Sequence, residues 1–520
     1  MARTIVLLHR WLPVALPAIA VVAGVSPLLS GGFGLGHDWL FELVRIAEFR
    51  HALFSGQLPP FWASNLYEGF GSPIFLFYAP LYLAISSALA SLGGSLTGAA
   101  SVALVLFSVL GAVLVWRFVD GVCPGYPAAA RIAVVLYSLH PYLLADKWIR
   151  NANAEFAALA ILPGVLIGAT AKEPRSAFWW TTLSLAGVIL AHNVTALVAI
   201  VLVIAISFFV HRGFRALRPV GWGIFAALAL TAFFWIPALT LQPLIRSEDL
   251  LTGKFDFHAQ FPDVVSLFWP GAFYSGGWLT GILVGAVLLI PVANALQRRI
   301  LRGFGIAVVI CLFLMLRVST WIWEALPLLH YEQFPWRLMG PLAVLVTLAA
   351  GIVASGIPRR FPVWCAEIAI LVAALLNAYP SWRDYEPLTP EIQAAIEQAL
   401  TPEGIRSKNL RTTVYDEYLP RAADPNEIRE SEELQLFRRW AFPVFSAEAG
   451  GRSVRVERGP GGVAAVRIQP GMEAATLTLR EPPLRTGCKA VSAFAAVVLF
   501  GLFFYARRAD ATRRTRLFNR

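Results

Sequence analysis

Long apolar runs separated by short polar segments dominate this sequence. Several of them, such as residues 96–116, 221–241, 279–296 and 338–355, are long enough, at about 1.5 Å per residue, to cross roughly 30 Å of hydrocarbon. The thirteen runs lie at residues 11–30, 73–92, 98–118, 129–145, 155–171, 177–191, 193–210, 218–241, 279–297, 300–316, 337–356, 361–379 and 489–506. The pattern predicts a polytopic α-helical membrane protein with about 12–13 transmembrane helices.

The basic residues between the runs predict the topology, because Lys and Arg accumulate in cytoplasmic loops. They occur at Lys172/Arg175, Arg212/Arg215/Arg218, Arg298/Arg299/Arg302, Arg359/Arg360 and in the tail 507–520. Segments 31–72, 242–276, 317–336 and 381–488 then lie outside. Twelve full crossings after a cytoplasmic N-terminus would return 381–488 to the cytoplasm, so one run is not a crossing. We place it within 73–145, as a re-entrant or interfacial helix.

Residues 381–488 have a different character. Thr389 is a suitable N-cap for a short amphipathic helix that starts with Pro390 and ends near Leu400. Residues 453–479 alternate apolar and polar positions between Gly and Pro, as strands do. The sequence therefore divides into a transmembrane module (1–380) with a large first external loop, a small extracytoplasmic α+β domain (381–488), and a final helix with a basic tail (489–520).

Composition agrees with this architecture. Hydrophobic residues make up 57% of the 520 residues and charged residues 14%, which is far from the balance of a soluble domain. The net charge of +11 lies in short loops and the tail, where it suits anionic lipid headgroups rather than nucleic acid. No Gly-rich phosphate loop is present, which argues against nucleotide binding. If an external site at the membrane surface uses a donor substrate, that substrate is more naturally a lipid phosphate than a nucleotide.

The first external loop carries the densest set of polar groups. From Asp38 the spacing is helical, with Asp38, Glu42 and Arg45 on one face, which predicts a helix lying on the membrane. The two carboxylates four residues apart need a partner, either Arg45 or a cation. Asp38 is the first choice for a general base that deprotonates an acceptor hydroxyl. The alternative is a solvated interfacial face.

Three further segments hold candidate residues. Glu68 is a possible second acid, although its Gly-rich surroundings also suit a simple turn. Lys147 and Arg150 are suited to bind a phosphate or pyrophosphate. Glu155 starts an apolar run, where a carboxylate is costly unless it is functional or paired, for example with Arg150.

Polar residues at two other membrane boundaries complete the set. His192 and Asn193 lie between two apolar runs and are either functional or a structural turn. Glu332 and Arg337 flank a rigid Phe-Pro-Trp segment at the point where a run re-enters the membrane. Arg337 either reaches the lipid headgroups or binds the phosphate of a lipid-linked substrate.

The ordered set of short motifs resembles known membrane proteins. The motifs are Gly69-Phe70-Gly71-Ser72-Pro73, Arg150 to Glu155, His192-Asn193, Phe334-Pro335-Trp336-Arg337 and Asp416-Glu417-Tyr418-Leu419-Pro420. Together with His37-Asp38 in the first external loop, they resemble the C-type membrane glycosyltransferases, which have the GT-C fold. More narrowly, they resemble the bacterial membrane family labelled 6-pyruvoyl-tetrahydropterin synthase-related, a label that does not signify pterin chemistry.

The resemblance implies transfer of a sugar from a polyprenyl-phosphate donor to an acceptor on the outer face, with inversion and with Asp38 as base. It makes Glu68 and Glu155 possible second acids, and Arg150 and Arg337 phosphate binders, with His37 beside Asp38. Some members of the superfamily use a divalent cation such as Mg or Mn and others do not; if one binds here, the resemblance makes Asp38 and Glu68, or Glu155, its possible ligands. Glu417 would cover the site or contact the acceptor, whose chemistry stays open.

Two other functions compete with this interpretation. A transporter or flippase of lipid-linked substrates would use the charged residues to line a path, but no inverted repeat is visible in the sequence. A non-catalytic envelope assembly protein would use 381–488 as its binding surface and would not need Asp38. A bacterial inner membrane location, with the site on the extracytoplasmic side, fits the sequence best.

Overall fold

The computed structural model describes residues 15–518, apart from 212, 270, 290–291, 293 and 357–362. Its α-helices are α1 (15–23), α2 (Ser26–Ser30), α3 (Trp39–Phe54), α4 (Leu81–Ala90), α5 (Leu96–Val122), α6 (Pro127–Ser138), α7 (Pro141–Trp148), α8 (Asn153–Thr170), α9 (Pro174–Ala191), α10 (Asn193–His211), α11 (Phe214–Leu230), α12 (Ala232–Leu241), α13 (Val264–Phe268), α14 (Gly277–Leu289), α15 (Ala295–Leu314), α16 (Thr320–Ala325), α17 (Pro327–His330), α18 (Met339–Ala354), α19 (Val363–Arg383), α20 (Pro390–Ala399), α21 (Pro402–Ser407) and α22 (Pro483–Phe518). The chain is thus mostly helical, as its apolar runs predict.

Six helical segments in the described part of the chain are long and apolar enough to cross a membrane unbroken. They belong to α5, α8, α10, α18, α19 and α22. Three bent helix pairs raise the number to nine if each pair is one span: α6 with α7 at 43°, α11 with α12 at 72°, and α15 with α16 at 89°. Of the thirteen apolar runs, fewer form simple membrane crossings in the described structure than the sequence predicts.

The run at 73–92 does not form one long helix. It begins with a single 3-10 turn, Ile74–Leu76, and continues as α4, which has ten residues. Ten helical residues extend about 15 Å, half of the hydrocarbon thickness. This run therefore cannot cross as one helix, which agrees with the expectation of a non-crossing element within 73–145.

Two helices form the centre of the bundle. The apolar windows of α8 and α18 are 94% and 83% buried, whereas those of α19 and α22 are 22% and 11% buried. Helix α8 packs against α5, α9 and α10, and α18 packs against α6, α14 and α15. The central pair therefore positions the polar groups at its N-terminal ends, while α19 and α22 present most of their apolar surface outward, as lipid-facing helices do.

The region between α19 and α22 is a small α+β unit, as predicted. Thr389 accepts a hydrogen bond from the Ile392 amide at 3.3 Å and Pro390 is the first residue of α20, so the predicted cap is confirmed. Two three-stranded antiparallel sheets follow, in the orders β1-β5-β4 and β3-β2-β6. The strands are β1 (Leu434–Trp440), β2 (Phe445–Ala449), β3 (Arg452–Val454), β4 (Glu457–Arg458), β5 (Val463–Arg467) and β6 (Thr476–Leu479). The predicted strand region contains four of them, and β1 and β2 lie before it.

The first external loop does form the predicted helix, α3, but the prediction of an interfacial amphipathic helix was wrong. Glu42, Arg45 and Glu48 are 1%, 7% and 0% exposed, so the polar face of α3 is not solvated. Leu43 and Ile46 are buried as well, because α4 and α5 pack on this helix. Charges in such a position need partners inside the protein.

Part of the predicted topology rests on residues that the structure does not describe. Residues 1–14, with the first four residues of the run at 11–30, and Arg212, Arg359 and Arg360 lie outside the described residues, as do 519–520 at the end of the basic tail. The boundaries of the three predicted regions stay predictions.

Candidate active site

The four segments predicted to lie outside meet at one end of the helical bundle. Backbone bonds join His37 to Ile149 (2.8 Å) and Asp38 to Arg150 (3.0 Å), so the first loop lies on the α7–α8 connection. Segment 242–276 touches the C-terminal unit through an Ile245–Pro420 bridge. The N-terminal ends of α8, α10 and α18 lie here too, which concentrates the candidate residues.

Arg150 is the centre of a buried ion network. Its guanidinium pairs with Asp146 and with Glu155 (Nη2 to Oε2, 2.8 Å), and it donates to the Tyr142 hydroxyl at 3.0 Å. Tyr142 in turn donates to Glu155 Oε1 at 2.5 Å. The Trp336 ring lies 4.7 Å from the guanidinium carbon. Arg150 therefore has its charge already compensated by two carboxylates.

Arg337 is the more open of the two arginines. Its Nη1 donates to the Glu332 carbonyl and to Gln333 Oε1, both at 3.1 Å, and its Nε is 3.6 Å from Glu155 Oε2. Gln333 has a left-handed φ of 62°, a strained conformation for a residue with a Cβ. In the described structure Nη2 of Arg337 makes no hydrogen bond, and the side chain is 19% exposed. This edge of the guanidinium is available to an anion.

Asp38 differs from the other acids of the site. It stands before the first residue of α3 and is half-buried, and within the described residues no side-chain cap bond or other partner holds its carboxylate. Its amide is fixed by the Arg150 carbonyl, so the position is set by backbone rather than by the carboxylate. The group is therefore held in place and free to accept a proton.

The next turn of α3 holds the second charged cluster. Glu42 pairs with Arg45, and Tyr78 donates to the same carboxylate at 2.7 Å. Arg45 Nη2 donates to the Thr412 carbonyl at 2.5 Å, and its guanidinium lies 4.4 Å from the Tyr78 ring centroid. Arg45, one of the two predicted alternatives, is thus the partner of Glu42, whereas the Asp38 carboxylate has no ion pair among the described residues.

An aromatic wall runs beside Asp38. The exposed His37 ring packs edge-on against Phe273 at 4.9 Å, and Phe273 packs against Trp336 at 5.3 Å. Tyr274 stacks on Trp336 at 5.7 Å, and Phe334 lies 4.9 Å from the same ring. Such rings provide flat apolar surface next to the Asp38 carboxylate and the open guanidinium edge of Arg337.

Lys147 and Glu68 are not brought to this cluster. The Lys147 ammonium is buried, donates to the Gly24 carbonyl and lies 5.3 Å from the Phe156 ring, on another side of α7. Glu68 is exposed, has a left-handed φ of 56° and pairs with Arg438 of β1 at 3.5 Å. Lys147 thus has a packing contact, and Glu68 joins the first loop to the sheet.

His192 and Asn193 lie at the start of α10. His192 Nδ1 is 2.8 Å from the Thr195 hydroxyl, and Asn193 Nδ2 donates to the Phe77 carbonyl at 2.9 Å. These bonds cap α10 and tie it to the run at 73–92.

Burial raises the pKa of Glu332 to about 8, so this acid is protonated at neutral pH and adds no charge beside Arg337.

The C-terminal unit contributes to the same end of the bundle. Asp416 accepts from the Tyr67 hydroxyl at 2.9 Å and pairs with Arg411, and the Tyr418 ring stacks on Phe77 at 6.2 Å. Glu417 is 5% exposed and has one unbonded oxygen. Burial raises the pKa of Glu417, which the nearby Arg45 guanidinium partly offsets. The motif 416–420 thus packs on Tyr67 and Phe77 and lies near Arg45 of α3.

The described residues contain no group of three or more His, Cys, Asp and Glu side chains placed to hold a metal ion. The pair Asp38 and Glu68, suggested as cation ligands, does not fit such a site, because Glu68 points to Arg438. We assign no step to a cation.

Several residues of this site were not singled out from the sequence. Asp146 and Tyr142 complete the Arg150 network, and Phe273 and Tyr274 form part of the aromatic wall. The aromatic pair in segment 242–276 was a usable signal, because that segment is a long external connection. Tyr142 lies within an apolar run and gave none.

Comparison with known proteins gives one family match. The model of a family described as "6-pyruvoyl-tetrahydropterin synthase related domain; membrane protein" matches residues 75–384, more than half of the chain. No curated protein gives a significant match.

Three solved structures illustrate the likeness in fold. The arabinofuranosyltransferase AftD from Mycobacteria is 19% identical with a TM-score of 0.44, over 72% of this chain and 27% of AftD. ArnT from Cupriavidus metallidurans, bound to undecaprenyl phosphate, is 15% identical with a TM-score of 0.43, over 74% of this chain and 69% of ArnT. The Archaeoglobus fulgidus oligosaccharyltransferase is 12% identical with a TM-score of 0.46, over 79% of this chain and 61% of the oligosaccharyltransferase. The chain thus spans about a quarter of AftD.

Proposed function

The chain belongs to the family of membrane proteins described as 6-pyruvoyl-tetrahydropterin synthase related, and we propose that it is a membrane glycosyltransferase. In this proposal it transfers a sugar from a polyprenyl-phosphate donor to an acceptor hydroxyl, with Asp38 as general base. The observation that carries the proposal is the unpartnered Asp38 carboxylate, whose backbone amide is fixed by the Arg150 carbonyl at the end of the bundle where Arg337 has an unbonded guanidinium edge.

The chemistry requires one proton acceptor and one anion site. Asp38 takes the proton from the acceptor hydroxyl as the oxygen attacks the anomeric carbon of the sugar. The bond between that carbon and the phosphate oxygen breaks, and the lipid phosphate leaves with the electron pair. Attack from the face opposite the leaving group inverts the anomeric configuration. The proton ends on Asp38 and passes to water.

Arg337 is assigned to the leaving phosphate. Its Nη2 is unbonded, whereas the Nη1 edge is held by Glu332 and Gln333. Hydrogen bonds from a guanidinium to phosphate strengthen as charge develops on the leaving oxygen, and the fixed Nη1 edge needs no reorganisation. Arg150 has a different task. Paired with Asp146 and Glu155, it positions the backbone carbonyl that holds Asp38.

The aromatic wall suits a sugar next to the acid. Phe273 and Trp336 present ring faces and edges between the His37 side and the Arg150 side of the site. The apolar faces of a pyranose or furanose ring pack on such surfaces. A lipid-linked donor also fits the setting, because the residues of the site lie at the ends of apolar helices.

The charge distribution supports an extracytoplasmic site in a bacterial inner membrane. Helix α10 starts beside the site, and its other end, about 27 Å away, lies next to basic residues. Lys172 and Arg175 follow α8 at that far end, and Arg299 contacts the Val210 carbonyl there. The positive-inside rule places this far end in the cytoplasm.

The test is turnover of defined donors. Purified protein in nanodiscs is offered a panel of polyprenyl-phosphate sugars with hydroxyl acceptors, and release of the lipid phosphate is followed. We expect Asp38→Asn to lower the rate about 10²- to 10⁴-fold with an unchanged melting temperature. Asp120→Asn, an exposed change in α5, is the matched control.

Three outcomes separate the proposal from its rivals. Consumption of no donor, or an equal rate in Asp38→Asn, contradicts the proposed reaction. Movement of intact donor between leaflets without release of lipid phosphate would identify a flippase. Unaltered envelope assembly in cells that carry Asp38→Asn would favour a non-catalytic assembly role.

A further inference from the structure

A large cleft lies at the end of the bundle opposite Asp38. It opens between α10, α14 and α15, has a volume of about 1020 Å³, and is lined by apolar side chains with Arg298, Arg299 and Arg302. We refer to it as the arginine groove. It shares no lining residue with the site at Asp38, so its role is independent of the proposed sugar transfer.

The position of the arginine groove follows from α10. Asn193, its first residue, bonds to Phe77 at the site end, and Arg299 donates to the carbonyl of Val210, near its last residue, at 3.4 Å. Nineteen helical residues separate these points by about 27 Å, close to the thickness of the hydrocarbon layer. The arginine groove and the site at Asp38 therefore lie on opposite sides of the membrane.

The apolar part of the groove has the length of one lipid leaflet. From Arg298 to Ile310, α15 rises about 18 Å, slightly more than half of the hydrocarbon thickness. Leu288, Ile306 and Ile310 line this stretch and are 49%, 43% and 51% exposed. Side chains of this kind, left uncovered by the protein inside a bilayer, are covered by acyl chains.

The polar end of the groove is cationic. Arg299 and Arg302 lie one turn apart on α15, and neither has a carboxylate within ion-pair distance in the described part of the chain. Arg298 donates to the Val292 carbonyl at 3.1 Å. This differs from Arg150, which two carboxylates compensate. A phosphate monoanion or dianion is the complementary ligand.

We propose that the arginine groove is a binding site for one anionic phospholipid of the leaflet opposite Asp38. The phosphate lies between Arg299 and Arg302, and an acyl chain follows Ile306 and Ile310. A soluble phosphorylated ligand would leave the apolar length uncovered, and a zwitterionic lipid would leave the arginine charges uncompensated. Basic pockets between membrane helices have this preference for anionic headgroups.

The proposal is tested by native mass spectrometry. Detergent-purified protein is titrated with phosphatidylglycerol or phosphatidylcholine of the same acyl chains, and bound lipid is counted. We expect one tight phosphatidylglycerol per chain and no equivalent phosphatidylcholine. Arg299→Gln with Arg302→Gln should weaken this binding about 30-fold, since each arginine near a lipid surface contributes about a factor of five. Arg317→Gln with Arg429→Gln, two exposed positions outside the groove, removes the same charge as control.

A second arm distinguishes a lipid from its headgroup alone. Val309→Trp fills the apolar part and leaves the arginines in place, so it should reduce phosphatidylglycerol binding and not binding of inorganic phosphate. The proposal is overturned if both lipids bind equally, if the Arg299/Arg302 variant binds as well as the control variant, or if inorganic phosphate competes fully at millimolar concentration. Melting temperatures of all variants, measured without lipid, establish that each has folded.

Discussion

The two ends of the bundle use the same side chain in opposite ways. At the site end, Arg150 is buried among Asp146, Glu155 and Tyr142. At the far end, Arg299 and Arg302 line an open groove and have no carboxylate nearby in the described structure. In our proposals an arginine that two carboxylates compensate fixes geometry, whereas an arginine without a carboxylate partner binds an anion. The comparison of these two environments can be tested by substitution.

The comparison extends to the acids. Glu155 is buried with two arginines, Glu48 is buried with no ion pair in the described structure, Glu68 is exposed, and Asp38 has an unpartnered carboxylate. Burial without a partner is the most costly of these states, and exposure the least. The effects of substitutions at Glu155, Glu48 and Glu68 should therefore differ according to how buried and how well paired each carboxylate is.

The largest effect is expected at Glu155. Glu155→Gln leaves the buried Arg150 and the partly buried Arg337 with one carboxylate fewer, and breaking a buried pair costs about 3–5 kcal/mol. Thermal unfolding in detergent should show a melting temperature lower than that of Glu173→Gln, an exposed control before α9. Equal melting temperatures would mean that the network is not a stabilising unit.

Glu48 should make stability depend on pH. It accepts bonds from the Asn65 amide (3.0 Å) and Nδ2 (2.7 Å), and burial raises its pKa from the ordinary 4.5 to about 7. The folded state then binds more protons than the unfolded state between these values, so this contribution is fully present below pH 4.5 and is lost as pH rises to 7. The shift corresponds to roughly 3 kcal/mol. The melting temperature of Glu48→Gln should fall less between pH 5 and 8 than that of the wild type. If the two melting temperatures change in parallel with pH, this role of Glu48 is refuted.

Arg337 should matter for donor binding more than for folding. Arg337→Gln removes the unbonded Nη2 edge, and a charge-assisted hydrogen bond is worth about 1.5–3 kcal/mol, so donor affinity should fall roughly 10- to 100-fold. Binding of a polyprenyl phosphate without sugar, measured by thermophoresis, gives this number independently of turnover. Arg438→Gln is the control, and unchanged affinity in Arg337→Gln would assign the phosphate to other groups.

The smallest effect is expected at Glu68. Its pair with Arg438 is 3.5 Å long and both side chains are more than half exposed, so Glu68→Gln should change stability by at most about 0.5 kcal/mol. Turnover should also stay within twofold of wild type. A loss of turnover without a loss of stability would restore Glu68 as the second acid that its place in the sequence suggests.

The sequence was informative where a residue acts through its neighbours in the chain. The apolar runs, the Thr389 cap and the need for a non-crossing element before residue 145 depend on local periodicity and length. The sequence-based predictions were wrong where segments far away in the chain determine the surroundings of a residue. The polar face of α3 indicated solvent, but α4, α5 and Thr412 enclose it, and the charges of Lys147 and Arg150 looked equivalent until packing separated them. Strand β1 contains two arginines, which masked its apolar alternation.

The bond from Arg45 to the Thr412 carbonyl spans 367 positions of sequence. At a translation rate of about 5–20 residues per second, Arg45 is made roughly 20–70 s before its partner. During that time the nascent protein holds Glu42 and Arg45 on a loop that lacks its cover, with many membrane helices already inserted. Formation of this contact is thus one of the last events of biogenesis, and ribosome stalling before residue 412 would yield an inserted protein in which Arg45 lacks its Thr412 partner.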